Sequence, residues 1–191
     1  KEIGDFIRGI VIGVITLANG ETKLIVAQEN EYYYYIERFS DTFLESRAMG
    51  KRFSTVSDAH YALSVTKFLV NDLGEFPETQ YITDDTPAKY RDAIREEFEN
   101  LNYGIKAPVE WNVDGLDIDE KISKADYAGT PLILGSMWEE KLCKKLEAHF
   151  INISYPMNTR LVINSTVAGY AGGLKLIEDI YTEALAKCAI K

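Results

Sequence analysis

The sequence predicts an α/β fold: a doubly wound, parallel five-stranded sheet of order 3-2-1-4-5, preceded by a helical N-terminal appendage. Three observations predict it. From Arg52 onward, short β-branched runs alternate five times with longer amphipathic stretches, the mark of repeated βαβ units. Crossovers between parallel strands are right-handed, which leaves few other orders for five strands. An apolar content of 46% in 191 residues is enough to fill the core of one ordinary domain. The boundary falls at residue 50, with residues 1–50 as the appendage and 51–191 as a Rossmann-like domain.

Arg52–Val56 reads as the first strand, and Ser57 or Asp58 caps a helix to about Leu73, with Tyr61, Ala62, Val65, Phe68 and Leu69 at helical spacing. Gly74 stops it. Thr79–Thr83 is the second strand. Thr86 and Pro87 supply the N-cap and first residue of a helix to about Leu101. Val109–Val113 is the third strand, Leu116–Ser123 a short helix, Pro131–Leu134 the fourth strand, Met137–Leu146 a helix and His149–Ile153 the fifth strand. A loop from Ser154 to Ala168 leads to a last helix, Tyr170 to about Lys187, with Leu174, Ile177, Tyr181 and Leu185 on one face.

The first fifty residues carry two competing signals. Asn19-Gly20 between β-branched runs is a hairpin signal. Ile3, Phe6, Ile10 and Val14 also fit a helix ended by Gly20, and Glu31–Arg47 reads as a long helix, so helix is preferred throughout. Four consecutive tyrosines, Tyr32–Tyr35, point in all directions around a helix, which favours a helix buried on several sides over a stacking platform.

A net charge of −9 argues against a nucleic-acid surface. The apolar run Ile10–Ala18 is far too short to span a bilayer, so no membrane association is expected. Lys1 is not an initiator methionine, which reads as an excised or processed chain. Cys143 and Cys188 belong to no CxxC pair, a cytoplasmic pattern, and with His60 and His149 equally isolated no metal site is expected.

Ligands of such sheets sit outside the carboxyl ends of the strands, where the strand order reverses. That geometry nominates Ser57 and Asp58 after strand 1, Gly135 and Ser136 after strand 4, and Asn158, Thr159 and Arg160 in the loop after strand 5. Helix N-termini there suit an anion, although Asp58 opposes one. No GxGxxG or Walker A loop follows a strand, and no Ser/His/Asp set can be assembled. Gly169-Tyr170-Ala171-Gly172-Gly173 opens the last helix, where close packing is the preferred reason for its glycines.

The order of the pieces carries a resemblance: Gly50-Lys51-Arg52-Phe53 entering a strand, Asp58 at its turn, Thr66-Lys67-Phe68-Leu69 in the helix, and Leu73-Gly74 at its stop. Further on come Pro131-Leu132-Ile133-Leu134-Gly135-Ser136, then Ile153-Ser154-Tyr155-Pro156, then Ala168-Gly169-Tyr170-Ala171-Gly172. Over residues 36–187 the chain resembles the third, Rossmann-like domain of nitrogenase component 1 subunits. The resemblance implies a domain of an oxidoreductase subunit that pairs with a second component 1-type subunit and receives electrons from an ATP-driven iron protein. A homodimer is an alternative assembly. It also implies an iron–sulfur cluster in a full-length parent, with none in this chain. The family's nitrogenase α subunit uses a histidine after its final strand to hold the metal cofactor, and residues 154–168 contain neither His nor Cys. A non-catalytic scaffold that binds an anionic small molecule or a maturing cofactor is the competing function.

Overall fold

Arg52–Ser57 forms a strand in which every residue after Arg52 is buried, the pattern of a strand covered on both faces by crossover helices. The computed structural model describes residues 21–45, 51–157, 161–162 and 166–188. In chain order its elements are α1 (Glu21–Glu45), β1 (Arg52–Ser57), α2 (Ala59–Asn71), β2 (Phe76–Pro77), β3 (Gln80–Ile82), α3 (Ala88–Glu99), β4 (Val109–Trp111), α4 (Gly115–Lys124), β5 (Leu132–Gly135), α5 (Glu140–Lys145), β6 (His149–Asn152) and α6 (Gly169–Cys188). The chain divides into two compact units, residues 50–161 and residues 1–49 with 162–191. The last helix therefore groups with the N-terminal residues, whereas the sequence reading drew its boundary at residue 50 and gave everything after it to the α/β domain.

In the unit of residues 50–161 the sheet runs β4-β3-β1-β5-β6, and β2 pairs with β1 off this path. Every pairing is parallel. The sheet has six strands where five were expected. With β2 set aside, the five expected segments stand in the expected succession. The extra strand arises because the chain meets β1 twice: β2 pairs Arg52 and Phe53, and β3 pairs Val56 and Ser57. Gln80, fully buried, bridges the gap between them. Its Oε1 accepts Thr55 N at 2.9 Å and Thr55 Oγ1 at 2.8 Å, and its amide nitrogen donates to Glu78 O at 2.6 Å. A side chain thus satisfies backbone groups that an uninterrupted ladder would have paired.

Helices cover both faces. α2 buries Ala62, Val65, Phe68 and Leu69. A second cluster joins Val56, Tyr81 and Ile133 of the strands to Ile118 and Ile122 of α4 and Leu142 and Cys143 of α5. Two helix starts differ from expectation. Pro87 is the N-cap of α3, one position earlier in role than expected, and α5 shrinks to Glu140–Lys145 because residues 136–139 close as a capping turn instead.

In the other unit, α1 begins at Glu21 and occupies the second arm of the hairpin that Asn19-Gly20 would have made. The dipeptide itself, with Ile3–Val14, lies outside the described residues. The tyrosine run is buried through Tyr32 alone. Tyr34 and Tyr35 are exposed, so the helix is not covered on several sides. Tyr32 meets Tyr170 with ring centroids 5.7 Å apart. On α6 the buried face holds Tyr170, Leu176, Ile177, Ile180, Tyr181 and Ala184, and Leu185 falls outside it. Gly172 has a local reason: a Cβ there would lie 2.4 Å from the carbonyl carbon of Val167. The chain entering the helix packs directly on its first turn. Cys188 is the last residue of α6.

Candidate functional site

Two of the three nominated turns can be built from their residues. Asp58, the N-cap of α2, accepts His60 N and Tyr61 N on one carboxylate oxygen, each at 3.0 Å. The remaining first-turn donor, Ala59 N, is held by Asp84 Oδ2 at 3.2 Å, and Ala62 N bonds Asp58 O at 2.9 Å. Ser57 ends β1 and is buried. The three N–H groups of residues 59–61, which open α2 ahead of its first ordinary helical bond at Ala62, are therefore engaged within the protein. Two carboxylates occupy the positive end of the helix that an anionic ligand would need.

The turn after β5 is closed in the same manner. Ser136-Met137-Trp138-Glu139 closes as a turn like a capping box, one turn ahead of α5, whose N-cap is Glu139: Ser136 N donates to Glu139 Oε2 at 2.7 Å, Ser136 Oγ donates to the same oxygen at 3.0 Å, and Trp138 N donates to Ser136 Oγ at 3.3 Å. Met137 N reaches across to Pro156 O at 2.9 Å, and Glu139 N bonds Ser136 O. Gly135 is glycine because a Cβ would stand 2.6 Å from Glu139 Oε2. Glu139 is 6% exposed, and burial raises its pKa against the opposing pull of the Ser136 donors. The turn leaves Trp138 and Tyr155 open to solvent.

Ser57, Asp58, Gly135 and Ser136 all end neighbouring parallel strands, so the structure sets them along one sheet edge. Asn158, Thr159 and Arg160 lie outside the described residues. Sequence reasoning missed Asp84 and Glu139, the two carboxylates that complete these turns. Glu139 had a signal, the S-x-x-E spacing from Ser136. Asp84 had none, because its partner Ala59 is 25 residues away in sequence.

These turns belong to a sheet whose parent family is decided by sequence. The model of the nitrogenase component 1 type oxidoreductase family matches residues 19–185. The chain belongs to that family. Among solved structures it is similar to one titled "Nitrogenase Cp1 at pH 6.5", with a TM-score of 0.63 and 20% identity over 86% of this chain and 34% of that one. At that identity the likeness shows a shared fold. The chain spans about a third of the length of that nitrogenase chain. No curated protein matches the sequence.

An iron–sulfur cluster of the kind the family resemblance implies needs several thiolates converging on one point. Among the described residues no three His, Cys, Asp or Glu side chains come together to hold a metal. Cys143 is 1% exposed within an apolar cluster. The described donor set does not fit a cluster. No described helix is long and apolar enough to cross a membrane.

Proposed function

We propose that this chain is a domain of a nitrogenase-like oxidoreductase subunit of component 1 type. Its parent pairs with a second such subunit, takes electrons from an ATP-driven iron protein, and holds its redox centres on residues beyond this sequence. The family match across residues 19–185 carries the reading. Coverage of 34% of a nitrogenase chain supports one domain of a larger subunit. The closed turns after β1 and β5 favour it over an anion-binding scaffold, since their backbone donors already have partners. Exposed Trp138 and Tyr155 at the same edge support a surface covered by more protein. Within this reading Arg160 clamps an anion or a carboxylate of the partner subunit.

The test is anaerobic purification of the tagged full-length parent together with the products of its neighbouring genes. A second component 1-type subunit should co-purify, and addition of reduced iron protein with MgATP should give ATP-dependent electron uptake. Arg160→Ala in the same preparation should weaken the subunit pair. A parent that purifies without such a subunit and accepts no electrons would remove the reading.

A further inference from the structure

We infer that the turn from Asp72 to Glu78 is a pH-sensitive latch: it holds the start of β1 while Glu75 is neutral and opens, with the rest of the sheet still folded, when Glu75 ionises. This goes beyond the family reading and does not depend on it. Three bonds close the latch. Lys51 N donates to Glu75 Oε2, Phe76 N to Lys51 O at 2.9 Å, and Glu78 N to Phe53 O at 2.8 Å. The strand they secure, β2, is two residues long, lies off the path of the sheet and pairs with β1. Gly74, at φ +70°, is the pivot ahead of Glu75. Segments held by so few bonds are the ones that open without global unfolding.

The geometry makes this latch sensitive to charge. Glu75 is 1% exposed, and its Oε1 is buried without a partner. Asp72, in the same turn, also buries a carboxylate oxygen without a partner. A charge on either acid leaves an oxygen with no donor to support it, so ionisation favours the turn swung out into solvent. Compensating cations are few. Lys51 is the cation that acts on Glu75, Arg52 is engaged by Glu78, and the last turn of α2 carries no basic residue. Burial lifts Glu75 from 4.5 to about 8 against the pull of Lys51, and Asp72, raised by burial to about 7, adds in the same direction. The closed state binds the proton more tightly than the open one. Its advantage is therefore complete below about 4.5 and is lost as pH rises to about 8.

The experiment is amide hydrogen exchange of the 191-residue chain followed by NMR, wild type against Glu75→Gln, which keeps an acceptor for Lys51 N and cannot ionise. In the wild type the amides of Lys51, Phe76 and Glu78 should exchange faster than those of Ile133 and Leu134 in β5, the mark of opening without unfolding. The ratio of wild-type to Glu75→Gln rates at those three amides should climb about tenfold per pH unit between about pH 5.5 and 7.5. Asp72 and the intrinsic chemistry of exchange are common to both proteins and cancel. A flat ratio overturns the proposal. So does protection at Lys51, Phe76 and Glu78 equal to that at Ile133 and Leu134 at every pH, a wild-type result that stands whether or not the variant folds.

Discussion

Two buried glutamates, at opposite ends of the same sheet, have been accommodated differently. Glu139 sits past the carboxyl end of β5, where Ser136 N and Ser136 Oγ both donate to it. Glu75 sits beside the amino end of β1, 1% exposed, where Lys51 N alone donates to its Oε2 and Oε1 has no partner. Burial raises both pKa values, and at Glu75 it carries the group from 4.5 to about 8. What separates the two sites is the number of donors facing the charge, since a buried carboxylate is tolerated to the extent that hydrogen bonds replace its water. Glu139 is part of the turn that closes its end of the sheet. Glu75 is a buried acid that is neutral across much of the physiological range.

The largest effect expected on this contrast comes from Gly135→Ala. The new Cβ would stand 2.6 Å from Glu139 Oε2, with Cδ and Cγ at 3.1 and 3.2 Å. The Glu139 side chain must then shift, which weakens its bond from Ser136 N. A loss of about 2 kcal/mol is expected in denaturant unfolding. The same substitution made on Glu139→Ala should cost little more than Glu139→Ala alone. Additive losses in that double-mutant cycle would show that the glycine is needed for another reason.

Next in size is the pH dependence of Glu75. Its folded pKa is raised above the unfolded value, so the folded state binds the proton more tightly. The stability it contributes is complete below about 4.5 and is lost as pH rises to about 8. Glu75→Gln keeps an acceptor for Lys51 N and cannot ionise. Its melting temperature should match the wild type near pH 4 and exceed it by several degrees at pH 8. Asp72, which burial also raises, to about 7, titrates in both proteins and cancels in the difference. Parallel curves over that range would place the charge of Glu75 in contact with water.

Much of this was legible from sequence, and the reasons are local. β1 announced itself by β-branched residues between a basic entry and the cap at Asp58, and α2 by apolar positions at helical spacing. Both signals lie within a dozen or so residues. Gly135 and Ser136 were found because the sheet type dictates where its edge lies, and the S-x-x-E box at Ser136 was readable but overlooked. The rest depended on distant pairings. Gln80 filling the gap between β2 and β3 requires knowing that Thr55 lies opposite it, and Asp84 holding Ala59 joins residues on two strand ends. The tyrosine run misled because periodicity cannot say how many sides of a helix are covered.

The smallest effect would bring the two glutamates closer together. Ser136→Ala removes one donor from Glu139 and the acceptor of Trp138 N, while Ser136 N keeps its bond to Oε2. The turn should survive at a cost of about 1 kcal/mol, the ordinary net value of a lost hydrogen bond. With fewer donors opposing burial, the pKa of Glu139 should rise further. For a raised carboxylate, stability is complete at low pH and lost as pH climbs through the folded value, so in Ser136→Ala that loss should extend to higher pH than in the wild type. Carboxyl titration of Glu139 followed by NMR in both proteins reads the change directly. If the midpoint moves down or stays fixed, hydroxyl donation does not govern this carboxylate, and the difference from Glu75 must lie in the depth of burial instead.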